Sequence, residues 1–257
     1  MRSWGVADGA PILTVIGCAP AWGNPGEPCS SYLVETGGTR ILIDCGSGAF
    51  AALWALDPRP LDAVVLSHMH HDHVADLIPF GYARRYAGLA GWPAPRLLAP
   101  PGGLARLEAL ALAGGGRRDH LDGPFVLSEY EPDAPSVIGD ARLTFAPMRH
   151  PGVSHAIRLE AGGSTLTFSG DTGATPALGA HARDADILLC EATYADAASD
   201  DVHLGAADAG RAATEAGAGR LVLVHVDAEK RPSAVAAAQS TFAGPVDAAI
   251  PGYTQRA

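Results

Sequence analysis

The 257-residue sequence lacks several features that would assign it to common functional classes. Its four cysteines form no CxxC pair, so neither a zinc ribbon nor a dithiol redox motif is predicted, and they resemble small core residues of a protein in a reducing compartment. No apolar run approaches the roughly 20 residues that span a bilayer, and the N-terminus has no basic segment followed by an apolar one. These absences favour a cytoplasmic protein without a membrane partner.

Positive charge is also scarce. Lys and Arg number 18 against 28 Asp and Glu, which gives a net charge of -10. This excess of negative charge works against a general affinity for nucleic-acid backbones, so a small-molecule substrate is expected rather than a long nucleic acid. Hydrophobic residues make up 47% of the chain, enough for a large core. We therefore expect one domain over residues 1–257, with residues 1–10 as a loose N-terminal lead-in.

The most informative stretch is residues 67–73, which read Ser-His-Met-His-His-Asp-His and follow an apolar run typical of a buried strand. Alternate side chains of an extended segment share a face, so His68 and His70 can bind one metal ion. After the chain turns, Asp72 and His73 can face a second ion. By the same alternation His71 is expected to be a neighbour rather than a ligand. The four candidate ligands are His68, His70, Asp72 and His73.

Five more carboxylates and histidines each come directly after, or at the end of, an apolar strand. Strands alternate with helices in the predicted order, with one helix predicted over residues 74–86, which indicates an α/β fold. Because the carboxyl ends of neighbouring parallel strands meet at one edge of a sheet, we expect these side chains to lie together there. The first of them, Asp44, is placed to bind the outer nitrogen of a metal-bound imidazole. The set is Asp44, His150, Asp171, Glu191 and His225.

The order of these motifs resembles the metallo-β-lactamase superfamily over nearly the whole chain. The resemblance implies an α/β fold, a four-layer αββα metallo-β-lactamase sandwich with the metal site at one edge, between the sheets. Within the superfamily, two further motifs are similar to the ribonuclease Z group and to its branch of atypical class II cyclic-nucleotide phosphodiesterases. These motifs are Glu191-Ala192-Thr193-Tyr194 and His203. The superfamily resemblance rests on His68-x-His70-x-Asp72-His73, His150, Gly170-Asp171-Thr172 and His225.

The resemblance also implies two divalent metal ions. Imidazole and carboxylate ligands suit zinc, which we favour, and also manganese or iron. Water between two such ions loses a proton near neutral pH and can attack phosphorus or a carbonyl carbon. Asp72 would orient or deprotonate that water, and His203, assisted by Glu191, would protonate the leaving oxygen. The implied ligands are His68, His70 and His150 for one ion, Asp72, His73 and His225 for the other, and Asp171 as a bridge between them.

The expected function is therefore a dinuclear metal-dependent phosphodiesterase that acts on a small, cyclic nucleotide through a hydroxide bridging the metals. An alternative is a lactone or acyl-thioester hydrolase, because Val226-Asp227 and His155-Ala156 depart from the motifs of the relatives. Transfer-RNA 3′ processing is less favoured, because no basic arm is present, and so is a non-catalytic metal-binding module. A homodimer is a further implication of the resemblance. The expected substrate contacts are Trp22, Arg149, His155, Tyr194 and Tyr253.

Overall fold

The structure, a computed structural model, describes residues 9–195 and 198–257. Within these residues the chain forms two seven-stranded sheets. Most of the predicted lead-in, residues 1–8, lies outside the described residues. The first sheet has the strand order β14-β1-β2-β3-β4-β5-β6, and its strands β3 to β6 run parallel to one another. Its strands are β1 (Ile12–Gly17), β2 (Ser31–Glu35), β3 (Arg40–Ile43), β4 (Ala63–Val65), β5 (Arg96–Ala99), β6 (Val126–Glu129) and β14 (Thr254–Arg256).

The second sheet has the order β13-β12-β11-β10-β9-β8-β7. Strands β10 to β13 are parallel, and β8 points the same way as β10 because each pairs antiparallel with β9. The ends of β8, β10, β11 and β12 therefore share one edge of this sheet. Its strands are β7 (Ser136–Ile138), β8 (Ala141–Pro147), β9 (His155–Ala161), β10 (Ser164–Phe168), β11 (Ile187–Glu191), β12 (Leu221–Val224) and β13 (Val246–Ala248).

Helices cover the outer face of each sheet. Helices of the first half pack with the outer side chains of the first sheet in one apolar cluster, and those of the second half pack on the second sheet in another. A 3-10 turn, Ala228–Lys230, precedes the last helix. The helices are α1 (Ala49–Leu56), α2 (His71–Val74), α3 (Leu77–Tyr86), α4 (Gly103–Ala113), α5 (Pro176–His181), α6 (Ala206–Ala216) and α7 (Arg231–Gln239).

The alternation of strand residues produces the layers. In β3, Ile41 and Ile43 enter the core between the two sheets, whereas Leu42 enters the cluster beneath the helices. In β11, Leu189 faces the inner core and Leu188 the outer one. Buried apolar residues thus face both ways in each sheet, as period-two alternation requires when both faces are covered. The predicted αββα sandwich is confirmed.

Two expectations need correction. The strand ends that carry candidate residues do not lie at one edge of one sheet, because β3 and β4 belong to the first sheet and β8, β10, β11 and β12 to the second. The helix predicted over residues 74–86 is interrupted: α2 ends at Val74, and Asp76 turns back so that its backbone N–H donates to Cys45 O at 3.1 Å. Within the described residues, no helix is both long and apolar enough to cross a membrane.

Candidate metal centre

All seven predicted ligands converge where the edges of the two sheets meet. Their potential ligand atoms fall into two groups, and within each group all lie within 4.8 Å of one another. Asp171, in the turn after β10, belongs to both groups. The grouping matches the two ligand sets that the sequence implied, with Asp171 between them. One group is His68, His70, His150 and Asp171, and the other is Asp72, His73, Asp171 and His225.

Unusual backbone conformations direct one of these ligands, His225, and also Asp44, which lies behind the ligand cluster. Asp44 and His225 follow β3 and β12 with φ angles of 57° and 58°, a left-handed conformation that costs a non-glycine residue about 1–2 kcal/mol. Gly46 is required for a different reason. A Cβ atom at Gly46 would lie 1.8 Å from Asp72 O, so only glycine lets the start of α2 approach the end of β3. Local backbone geometry thus brings α2 and its ligands against the strand ends.

The donor atoms fit divalent metal ions. The Nε2 atoms of His68 and His73 are buried and, among the described residues, have no hydrogen-bond partner. Asp171 Oδ2 lies 3.7 Å from His68 Nε2 and 3.6 Å from His225 Nε2, and its Oδ1 lies 3.4 Å from His73 Nε2. Bonds of about 2.0–2.1 Å around a tetrahedral zinc ion place neighbouring ligand atoms roughly 3.3 Å apart. Orphaned nitrogens at such spacings are what a metal centre requires.

Asp44 orients His73, one of the two histidines of the second group, through the ring nitrogen that faces away from the ligand cluster. Its Oδ2 accepts a hydrogen bond from His73 Nδ1 at 2.7 Å, so the Nε2 atom of that ring is directed at the ligand cluster. Ser67 donates to the same carboxylate from its backbone N–H at 2.7 Å and from its hydroxyl at 2.6 Å. Asp44 therefore occupies the position expected of it, and Ser67 helps to fix the carboxylate.

Thr193 belongs to the Glu191-Ala192-Thr193-Tyr194 motif, which by itself predicts no role for the threonine. In the structure its hydroxyl donates to Glu191 Oε2 at 2.7 Å and lies 2.8 Å from His225 Nδ1, from which it accepts a hydrogen bond. This bond fixes the His225 ring with Nε2 toward Asp72 Oδ2 at 3.1 Å. The sequence held one signal: Thr193 follows Glu191, the last residue of β11, by two positions, which is the spacing at which side chains of an extended segment share a face.

His203 lies beside both ligand groups. Its Nδ1 atom is 3.0 Å from Glu191 Oε1, and its ring centroid is 5.2 Å from that of His150 and 5.5 Å from that of His225. The neighbouring Val202 carbonyl accepts a hydrogen bond from His150 Nδ1 at 2.8 Å. One short segment therefore carries His203 and also orients a predicted ligand.

Burial and opposite charges shape the protonation of the centre. Burial, together with the adjacent His73 imidazole, lowers the pKa of His68 well below its usual range, so this ring is neutral and able to coordinate. Burial raises the pKa of Asp171, but the imidazoles of His225 and His73 outweigh it and hold that pKa well below its usual range. Burial lowers the pKa of His203, but its hydrogen bond to Glu191 prevails and raises it. The carboxylates thus draw positive charge into the site, as protons or as metal ions.

The residues predicted as substrate contacts are scattered. Trp22 is 63% exposed, on the loop between β1 and β2. The guanidinium of Arg149 pairs with Asp201, and the Tyr194 hydroxyl donates to Asp200 Oδ2 at 2.7 Å. These three contacts with substrate remain predictions.

The other two predicted contacts are tied to the framework of the fold. His155 begins β9, is only 4% exposed, and has its Nδ1 atom 3.1 Å from the Tyr130 hydroxyl. The Tyr253 hydroxyl donates to Asp247 Oδ2 at 2.9 Å, and its ring packs against the inner core. Both side chains are therefore engaged within the fold, and their contact with substrate remains a prediction. His71, expected not to be a ligand, has a side chain that is 67% exposed.

A cavity of about 230 Å³ opens beside the first ligand group. His68, His70 and Arg106 of α4 are among the residues that line it. No sequence motif drew attention to Arg106, because it comes from a helix of the first sheet and reaches the site only through the tertiary fold. The remaining lining residues are Met69, Pro101, Gly102, Pro151 and Val153.

Comparison with known proteins assigns the family. The pattern of the Beta-lactamase superfamily domain matches residues 39–226. The chain belongs to this superfamily. Among its relatives, a probable metallo-hydrolase of Bacillus subtilis, YhfI, is 35% identical over 217 residues, covering 83% of this chain and 86% of YhfI. Ribonuclease Z of Mycobacterium marinum is 29% identical, covering 83% of this chain and 85% of the enzyme.

Solved structures with similar folds support the same architecture. The crystal structure of YhfI, described as a metallo-β-lactamase fold protein, matches with a TM-score of 0.86 and 28% identity, covering 96% of this chain and all of YhfI. Unliganded yeast PDE1 matches with a TM-score of 0.75 and 11% identity, covering 97% of this chain and all of that one, a likeness of fold alone. The protein is thus a metallo-β-lactamase-fold metallo-hydrolase, with His and Asp clusters able to bind metal ions.

Proposed function

We propose that the protein is a dinuclear phosphodiesterase that cleaves a small nucleotide, with cyclic mononucleotides as the first substrates to test. The observation that carries this proposal is the His203–Glu191 pair, held beside ligands of both groups. Phosphodiester cleavage expels an alkoxide, which is a poor leaving group unless it gains a proton. An acyl thioester expels a thiolate, which leaves without one. A fixed imidazole proton donor at this position therefore favours the phosphodiester over the acyl thioester, whereas a lactone, which also expels an alkoxide, is distinguished by the substrate test.

The chain's own residues supply each proton transfer. His203 donates Nδ1–H to Glu191, so its Nε2 is free to protonate the leaving oxygen. Asp72 Oδ2, 3.1 Å from His225 Nε2, lies within the ligand cluster, where the carboxylate can take the proton of the attacking water. Two divalent ions held by the two groups would supply Lewis acidity toward the phosphoryl oxygens and lower the pKa of water.

The size of the site and the charge of the chain support a small substrate. The cavity beside His68 and His70, about 230 Å³, is smaller than the roughly 300–1,000 Å³ of pockets for drug-sized ligands. The net charge of -10 disfavours polyanions. The similarity to ribonuclease Z over 83% of the chain supports phosphodiester chemistry, although the relative's name speaks of RNA.

The direct test is hydrolysis by purified protein reconstituted with zinc, manganese or iron. Cyclic AMP, cyclic GMP and bis-p-nitrophenyl phosphate form one panel, and an acyl thioester and a lactone form the other. We expect turnover on the first panel. Activity on the second panel alone would refute the proposal and support the carboxylic-ester alternative.

A leaving-group comparison tests the role of His203. p-Nitrophenolate departs without protonation, so His203→Ala should lower kcat about 10²–10⁴-fold on cyclic nucleotides and much less on bis-p-nitrophenyl phosphate. His181→Ala is the matched control: this half-buried histidine ends α5 and bonds the Thr144 carbonyl at 3.2 Å, so both rates should be unchanged. Equal losses on both substrates in His203→Ala would contradict a proton-donor role.

A further inference from the structure

The cavity beside the first ligand group has one charged side chain that the proposed mechanism does not use. Arg106 lies on α4 and lines the same cavity as His68 and His70. Its Nη2 atom lies 4.0 Å from the position a Cβ atom would take on Gly152, in the loop that carries His150. The guanidinium therefore reaches from the first half of the molecule to a loop of the second half, beside the cavity.

The guanidinium of Arg106 is also free of the ion pairs that occupy other arginines. Among the described residues, Arg149 pairs with Asp201 and Arg118 with Glu108, whereas no carboxylate lies within ion-pair distance of Arg106. In a chain of net charge -10, an arginine without a carboxylate partner beside a cavity is a ready binding group for an anion. Its planar fork of donors matches carboxylate and phosphate oxygens.

The rest of the lining determines what kind of substrate group can occupy the cavity. Apart from the two histidines and Arg106, the walls come from Met69, two prolines, a glycine and Val153, which offer little hydrogen bonding. A reacting phosphodiester would lie on the ligand side, at His68 and His70. The group attached to it would cross an apolar surface and end at the guanidinium.

We propose that Arg106 binds a second anionic group of the substrate, so that the preferred substrates carry a negative charge besides that of the reacting phosphodiester. The inference rests on the proposed phosphodiesterase function and narrows its substrate class. It separates charged diesters, such as nucleotides with an additional phosphate or carboxylate, from diesters whose other substituent is neutral. The cation adds binding energy only for the former.

Two synthetic esters of similar size isolate this contribution. Propyl p-nitrophenyl phosphate and 2-carboxyethyl p-nitrophenyl phosphate share the reacting bond and differ by one remote charge. Arg106→Ala should raise KM for the carboxyethyl ester about tenfold, the usual effect of losing a charge-assisted hydrogen bond, and leave KM for the propyl ester within about twofold. Arg106→Lys should retain part of the preference, because the charge remains without the fork.

The matched control is Arg183→Ala. Arg183 is exposed, pairs with no carboxylate among the described residues, and precedes β11, at the sheet edge opposite the metal centre. The Arg183→Ala substitution removes the same positive charge from the molecule as a whole. It therefore distinguishes direct contact between Arg106 and the ester from long-range electrostatic attraction. Kinetics with both esters should match those of the wild type.

The outcomes separate the inference from the function on which it rests. If Arg106→Ala affects both esters equally, or if Arg183→Ala reproduces its effect, the assignment of Arg106 is wrong. If the wild type hydrolyses neither ester, the phosphodiesterase proposal fails, and calorimetric binding of the two uncleaved esters still tests Arg106. Equal affinities of wild type and Arg106→Ala for the carboxyethyl ester would then overturn the inference.

Discussion

Replacing Thr193 with valine should weaken one metal-binding group and spare the other. The substitution keeps the shape of the side chain and removes only the hydroxyl, which accepts from His225 Nδ1 and donates to Glu191. Because the hydroxyl is buried, no bulk water can take its place readily. The His225 ring then loses the bond that fixes its orientation, whereas the partners of His68 are untouched.

Two independent considerations give the expected loss of metal affinity. A buried donor left without its acceptor costs about 1–3 kcal/mol, here the Nδ1–H of His225. Loss of an outer partner of a metal-bound histidine typically lowers metal affinity 10–100-fold, which is about 1.4–2.8 kcal/mol at 1.4 kcal/mol per decade. The two ranges agree. We therefore expect a 10–100-fold weaker second site, with a first-site affinity within about threefold of the wild type.

The assay is titration of metal-free protein with zinc in competition with a chromogenic chelator, which resolves two sites of different affinity. Thr167→Val is the matched control, because the Thr167 hydroxyl is also buried and has no hydrogen-bond partner among the described residues. That variant should bind both ions normally. Unchanged affinity of both sites in Thr193→Val would refute the idea that its hydroxyl orients His225.

Three further predictions concern the same centre. Asp171→Ala should lose activity and, by elemental analysis, at least one metal ion, because the Asp171 carboxylate belongs to both ligand groups. His71→Ala should lose neither, because the His71 side chain is exposed. The reverse result would overturn the ligand assignment. Gly46→Ala should abolish metal binding or folding, as followed by circular dichroism, because its Cβ would lie 1.8 Å from Asp72 O. Gly38→Ala is the control and should behave as wild type, because the space around its Cβ is open. Equal tolerance of both substitutions would contradict the close approach of α2 to Gly46. Removal of metal with a chelator should lower the Tm of the protein, because a ligand at 100 times its Kd stabilises the folded state by about 2.7 kcal/mol. An unchanged Tm would mean that the cluster binds no ion.

The positions of the ligands could be predicted because each lies beside a recognisable apolar strand. A short run such as Ala63–Val65 predicts a buried strand, and the polar residues after it must lie at its end. The alternation that separates His68 and His70 from His71 is also local. Features that depend on backbone periodicity can therefore be predicted from the sequence alone.

Features that depend on contacts between segments far apart in the chain cannot be predicted from the sequence in this way. No local pattern shows that β4 and β8 belong to different sheets, because strand pairing is decided by packing between segments far apart in the chain. The bond between Thr193 and His225 joins residues 32 positions apart, and Arg106 reaches its cavity from another layer. The break after Val74 is set by the contact of Asp76 with Cys45, which helical periodicity cannot reveal.

The division of the ligands between two sheets has a mechanical consequence. Asp72 and His225 approach within 3.1 Å although 153 positions separate them along the chain. An ion bound to both residues would act as a reversible crosslink that closes a loop of this length, and closing a 100-residue loop restricts the unfolded chain by about 4.7 kcal/mol in the disulfide case. The two halves could then separate only after a ligand bond breaks. Bound metal should therefore slow unfolding, and so protect the chain against proteolysis, as well as prepare the site for chemistry.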